Sequence, residues 1–298
     1  SNRRDAAAVR SALGGRDWDA VYDISGYTAD DVRLMVELLK GRCGHYIFAS
    51  STVIYAPTRR GPISEDHPVD RSPSQNSYAN NKLDCEEILV REHRENGFPF
   101  TIAAFSMVFG PNNIIPDREQ RMFQRLIGGR KILIPGDGTT LGQVGHVDDQ
   151  SRALRMMLGQ PVTLGTRYNV TGDDWFSDEG YVDTFAAIVG VEPQKVFVPA
   201  QVMDDLWDGR IEVADQMSPV AIDTRSGDGG RAMTLFQLST LVQKLQPNLH
   251  RWNQSVLFSV DRLKRDLGWA PEYTFQAAVE QTYEWYLREG LHETRDFD

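Results

Sequence analysis

His45-Tyr-Ile-Phe-Ala-Ser-Ser51, followed after a loop by Ser77-Tyr-Ala-Asn-Asn-Lys82, decides the fold. The first stretch is an apolar run ending in hydroxyls, the pattern of a buried strand whose carboxyl end turns polar. The second opens a helix that runs to about residue 93, with Leu83, Ile88 and Leu89 on an inward stripe and a Pro/Ser-rich loop, 71–77, before it. Strand followed by helix is half of a β-α-β unit, and the pattern repeats on both sides.

Upstream, residues 5–13 read as a helix ending at Gly14-Gly15, and Asp19 to Ser25 as a buried strand. Thr28 caps a further helix, with Asp30 and Asp31 in its first turn and Gly41 just past its end. Downstream, 98–109 and 168–172 read as strands. The chain closes with a helix capped at Asp261, a Gly-Trp-Ala-Pro turn and a long helix from Thr274 to Glu289. Alternating strands and helices imply an α/β fold, a doubly wound parallel sheet of Rossmann type, with a smaller mixed C-terminal substrate domain. The expected division is a cofactor domain over about 1–160 and a substrate-binding portion over 161–298, interleaved with the first. Residues 200–256 are irregular, and Ser226 to Gly230 reads either as part of a substrate-facing lid or as a surface loop.

Composition narrows the classes. With 298 residues, 41% hydrophobic and 25% charged, the chain is an ordinary globular protein. A formal charge of -10 argues against a nucleic-acid partner without excluding a local basic patch. Cys43 and Cys85 make neither a disulfide framework nor a zinc spacing. No run is apolar and long enough for a membrane span and no signal-peptide layout opens the chain, so a cytoplasmic protein is expected. The expected partner is a small-molecule substrate, with a homodimer allowed.

Tyr78 and Lys82 stand four apart at the start of a helix, so they share one face. An ammonium near a phenol favours the phenolate, which would make Tyr78 a general base or acid. Ser50, Ser51 and Thr52 lie at the carboxyl end of a strand, where open parallel sheets build their sites. A capping serine with a surface Tyr and Lys is the plainer alternative.

The stretch Tyr46-Ile-Phe-Ala-Ser-Ser-Thr-Val-Ile-Tyr55 with Ser77-Tyr-Ala-Asn-Asn-Lys82 resembles the extended short-chain dehydrogenase/reductases, the NAD-dependent epimerase/dehydratase family. Val108-Phe-Gly-Pro111, Gly145-His-Val-Asp-Asp149 and Asp266-Leu-Gly-Trp-Ala-Pro271 resemble later motifs of that family, in its order. The resemblance implies an NAD(P)-dependent oxidoreductase or epimerase acting on a hydroxyl or ketone of a sugar derivative or specialised metabolite. In it Ser51 orients the substrate oxygen, Tyr78 exchanges the proton, and Lys82 tunes Tyr78 and binds the cofactor ribose. Ser25, Gly26, Tyr27, Ser50, Phe105 and Ser106 would lie along the cofactor, and Thr52, Val53, Met107, Gln143 and His146 along the substrate.

The sequence departs from the family at four places. Thr52 and Val53 stand where dehydratases of the group carry acidic residues, which disfavours a 4,6-dehydratase. Met107 replaces an Asn and Gly142 an Arg that serve nucleotide-sugar recognition. Asp23-Ile-Ser-Gly26 and Gln143-Val-Gly-His146 look closer to a branch that includes chloroplast stem-loop-binding proteins, which supplies the alternative: a noncatalytic or RNA-binding relative.

No glycine-rich dinucleotide turn occurs among the 25 glycines. Aligned by order, Asn2-Arg-Arg-Asp5 resembles the end of the family's third strand. The expectation is that NAD or NADP binding depends on a segment ahead of residue 1, omitted rather than naturally lacking. His146 beside Asp148 and Asp149 reads as a helix cap or packed ring, and no metal is expected. Trp269 and Trp285 are expected to pack the C-terminal helix, and Trp207 or Trp252 could face an apolar substrate.

Overall fold

The computed structural model describes residues 3–113, 119–208, 210–211 and 251–293. The segment Ser226 to Gly230 lies outside the described residues.

In chain order the helices are α1 (Ala6–Leu13), α2 (Ala29–Leu39), α3 (Ser77–Asn96), α4 (Glu119–Ile127), α5 (Val147–Met157), α6 (Asp178–Val189), α7 (Ala200–Trp207), α8 (Asp261–Leu267) and α9 (Phe275–Arg288). The strands are β1 (Val21–Asp23), β2 (Tyr46–Ser51), β3 (Phe100–Phe105), β4 (Val108–Phe109), β5 (Lys131–Pro135), β6 (Leu141–Gly142), β7 (Gly145–His146), β8 (Thr166–Val170), β9 (Phe176–Ser177) and β10 (Gln194–Val198).

Four strands make a parallel sheet in the order β1-β2-β3-β8. Every residue of β2 is buried, which is why its sequence reads as a continuous apolar run rather than an alternation. Its side chains divide between two cores. Tyr46 and Phe48 join Val32, Val36 and Leu39 of α2 and Ile88 and Leu89 of α3 on one face. Ile47 meets Ala153 and Met157 of α5, Tyr168 and Val170 of β8, and Leu263 and Trp269 of the α8 region on the other. Helices therefore cover both faces, the doubly wound arrangement expected. The fourth strand, β8, comes from beyond residue 160, so the C-terminal part of the chain helps build the first sheet.

A second body of structure surrounds Phe109, Phe123, Phe185, Phe275 and Tyr286, from α4, α6, α9 and the strands beside them. There β5 and β10 pair in parallel and β6 and β9 antiparallel. Asp149 ties the two bodies. Its carboxylate accepts from the backbone N–H of Glu272 at 2.8 Å and Tyr273 at 3.0 Å, and its carbonyl from Trp269 Nε1 at 3.2 Å. The motif opening α5 thus fixes the Gly-Trp-Ala-Pro turn.

Helix ends follow their caps. Thr28 and Asp31 form a reciprocal capping box at α2. Asn76 accepts from Ala79 N at 2.7 Å to open α3, and Gly97, at φ 67, closes it in the left-handed conformation three residues later than the sequence suggests. One expectation is corrected. The single strand expected over 98–109 is two, because Ser106 donates its N–H to Val170 O and its hydroxyl to Thr171, turning the chain between β3 and β4. Arg3 and Arg4 form a turn, with Asp5 capping α1 and Arg3 folded back onto Asp23.

Candidate functional site

The carboxyl ends of β1 and β2 and the first turns of α3 converge on Lys82. Its side chain is 2% exposed, and Nζ donates at 2.7 Å to both Gly26 O and Ala49 O. The rings of Tyr27, Phe48 and Tyr78 surround the ammonium, with centroids 4.8, 4.9 and 5.7 Å away. Burial pulls the Lys82 pKa down to about 8, against the negative charges of Asp23 and Glu86. An ammonium has three donors, so the two carbonyls leave one for a ligand.

Gly26 makes this geometry reachable. A Cβ there would stand 2.9 Å from the Phe48 ring and 3.0 Å from the Asp23 carboxylate, so only glycine lets the turn after β1 approach Lys82 this closely. Asp23 is held in turn by Arg3, at 2.6 and 2.9 Å, and by the Tyr46 hydroxyl. Burial pushes its carboxyl up, and those donors overcome it to leave the pKa below the usual carboxylate value.

Tyr78 lies on the same face of α3, half-buried, within the electrostatic reach of Ser51. Burial pushes its pKa up to about 12, with the neighbouring Tyr27 phenol adding to the rise and Ser51 drawing it down. This runs opposite to the expectation that Lys82 lowers the Tyr78 pKa. The ammonium faces two carbonyls and the tyrosine ring, and desolvation of the phenol wins. As it stands the site presents Tyr78 as a proton donor near neutral pH.

The remaining expected residues fall into two groups. Ser51, Tyr78, Lys82, Gly26 and the 44% exposed Tyr27 cluster at the mouth of the sheet, with Tyr27 and Tyr78 ring centroids 6.1 Å apart. Ser25 sits at the same strand end, its hydroxyl accepting from Arg3 Nη1 at 2.8 Å. Thr52 and Val53 begin the single helical turn that follows β2, and Met107 is half-buried between β3 and β4.

The others are occupied elsewhere. Ser50 donates to Glu86, and Ser106 to Thr171. Phe105 packs against the α5–β8 core. Gln143, expected on the substrate, donates to Gly172 O and Phe258 O and accepts from Phe258 N at 2.7 Å. Its amide serves the backbone of two loops. His146, also expected on the substrate, is 3% exposed, caps α5 by accepting from Asp148 N at 3.3 Å, and stacks on Tyr273 at 3.7 Å. Trp252 is likewise buried and donates to Asp204 at 2.8 Å.

Glu86 and Arg167, which join beneath Ser50, were missed by sequence reasoning. The available signal was spacing: Tyr78, Lys82 and Glu86 repeat every four residues along one helix.

Comparison with known proteins agrees with this fold. The chain is 31% identical over 196 residues to the chloroplast stem-loop binding protein of 41 kDa b from Arabidopsis thaliana, covering 65% of this chain and 49% of that protein. It is 25% identical over 213 residues to a dTDP-glucose 4,6-dehydratase of Neisseria meningitidis, covering 70% of this chain and 49% of the relative. Dehydratases among the relatives remove the ground for setting that reaction aside on Thr52 and Val53. A solved structure of dTDP-glucose 4,6-dehydratase from Bacillus anthracis, in complex with NAD, superposes with a TM-score of 0.70 at 15% identity, covering 98% of this chain and 79% of the other. The chain spans about half the length of the curated relatives it matches. Residues 6–171 match the model of the NAD dependent epimerase/dehydratase family, and the chain belongs to that family.

Proposed function

We propose that this protein is an NAD(P)-dependent oxidoreductase or epimerase acting on a hydroxyl or ketone of a sugar derivative, with dehydratase chemistry open to the same site. The observation that carries the reading is the convergence of Ser51, Tyr78 and Lys82 at one end of the sheet. Bound nicotinamide would supply the hydride acceptor or donor. Tyr78 would exchange the proton at the substrate oxygen, and Ser51 would orient that oxygen by hydrogen bonding.

The residues present fit one end of the cofactor. Lys82, with one donor directed to neither carbonyl, and the exposed Tyr27 ring suit the nicotinamide ribose. Among the described residues, no glycine-rich turn follows a strand in the way a pyrophosphate cradle requires. Calorimetric titration of the full-length natural protein with NAD(H) and NADP(H) tests the proposal. Binding of one pair is expected, and no binding of either would overturn it.

A second reading has its own observation, the likeness to a stem-loop binding protein. In it the fold binds RNA through phosphate contacts. Salt-dependent binding of a stem-loop RNA, unchanged in Tyr78→Phe, would support it, and absence of such binding would dismiss it.

A further inference from the structure

Helix α3 holds the end of β2 at three points, each from a side chain four residues after the last. Tyr78 meets Ser51, Lys82 meets the Ala49 carbonyl, and Glu86 meets the Ser50 hydroxyl. The first two belong to the reacting end of the site. The third is a buried carboxylate, 2% exposed, whose other oxygen accepts from Arg167 Nε at 2.9 Å and from Arg167 Nη2. Arg167 stands on β8, two strands away from β2 across the sheet, so the pair links α3 to the far strand as well.

A buried ion pair is a poor device for stability alone, because desolvating two charges cancels most of their attraction and an apolar pair of the same volume does as well. What it supplies is direction. A carboxylate with one oxygen on Ser50 and the other on Arg167 allows β2 one position along α3, whereas apolar contacts would tolerate sliding.

We infer that Glu86 is a positioning residue, clamped between Ser50 and Arg167 so that the end of β2 that carries Ser51 keeps its place along α3 and Lys82 stays between the Gly26 and Ala49 carbonyls. The inference rests on the functional reading above for its purpose and on the geometry alone for its substance. Glu86 touches no reacting group itself and acts through the strand end. The negative charge of Glu86 also favours the charged form of Lys82, in the same direction as the tether.

The test needs neither cofactor nor substrate. The full-length protein is labelled with ¹⁵N-lysine and with ¹³Cζ-tyrosine, and the Lys82 ammonium and Tyr78 ring-carbon signals are assigned by Lys82→Arg and Tyr78→Phe. In the unaltered protein the Lys82 ammonium, held by two carbonyls, should exchange slowly enough to be seen at neutral pH. Glu86→Gln should shift both signals and speed ammonium exchange, leaving the signals of the other lysines in place. Should that variant fail to fold, Glu86→Met combined with Arg167→Met removes both charges together and takes its place, with the same expectation. Lys82 and Tyr78 signals like those of the unaltered protein in a folded variant would overturn the inference. Failure to bind NAD(H) or NADP(H) would instead sink the functional reading and leave this result to stand by itself.

Discussion

The ammonium of Lys82 donates to the carbonyl of Ala49, two residues before the end of β2, at 2.7 Å. This bond anchors the helix that carries Tyr78 to the strand that carries Ser51, so the lysine is as much a part of the scaffold as of the site. A matching bond to Gly26 O ties in the end of β1. Two strand ends and one helix are thereby registered on a single side chain.

The pH dependence follows. The Lys82 pKa is lowered by burial from 10.5 to about 8. Below about pH 8 folded and unfolded chains both hold the proton. Between about 8 and 10.5 the folded protein holds fewer protons than the unfolded chain, so this group's contribution to stability rises with pH as its burial cost is relieved. Function should move the other way, with turnover and cofactor affinity falling as pH passes through about 8. Denaturant unfolding at about pH 7 and pH 9.5 checks the first part, since the unaltered protein should gain stability relative to Lys82→Met. A pH–rate profile flat through this range would refute the second part.

Tyr78→Phe should lower turnover by roughly 10²- to 10⁴-fold, the contribution of a positioned acid or base, with cofactor affinity kept within about threefold. Ser51→Ala should lower it by roughly 10²-fold through loss of one orienting hydrogen bond. It should also raise the Tyr78 pKa, because Ser51 is the group that draws it down. Steady-state rates with dTDP-glucose and UDP-glucose as probe substrates, alongside calorimetric cofactor titrations, separate the two effects. Retained turnover in Tyr78→Phe would remove the tyrosine from its assigned role.

The main sheet was legible because β2 and α3 carry their reading locally. Burial on both faces makes Tyr46-Ile-Phe-Ala49 a continuous run with hydroxyls only at its end, and α3 keeps a buried stripe from Ala79 to Leu89. The pairing of β5 with β10 was not legible. It joins Lys131–Pro135 to Gln194–Val198 across more than 60 residues, and β10 is mostly surface. The site shows the same division. Tyr78 and Lys82 were visible from spacing, but the carbonyls that hold Lys82 are backbone atoms 33 and 56 residues away, which no residue type announces. Gln143 and His146 were placed on the substrate by motif alone, and tertiary contacts gave them other partners.

Gly26→Ala tests the close approach at β1. The added methyl would sit 2.9 Å from the Phe48 ring and 3.0 Å from Asp23, so one of them must move. Overpacking of this kind costs about 1–3 kcal/mol, which denaturant unfolding would register as a lowered midpoint. Displacing the Gly26 carbonyl should also weaken cofactor binding by about tenfold. An alanine variant of unaltered stability and affinity would show that the turn has slack.

Gln143→Leu separates a scaffold residue from a substrate contact. The side chain answers Gly172 O at 2.7 Å and both backbone polar groups of Phe258, all buried. Leucine would fill the volume but leave the Phe258 N–H and the Gly172 carbonyl without those partners, at about 1–3 kcal/mol for each buried group left unsatisfied. The expected result is a stability loss of that order with KM for the probe substrates changed by less than about twofold. The reverse outcome, a large rise in KM at unaltered stability, would return Gln143 to the substrate. The distinction matters for the fold as well, because Phe258 packs beside Tyr55 and Ile63 under the loop that follows Ser51. Loss of the Gln143 bridge should therefore loosen that loop, and faster amide exchange at residues 55–63 would record it.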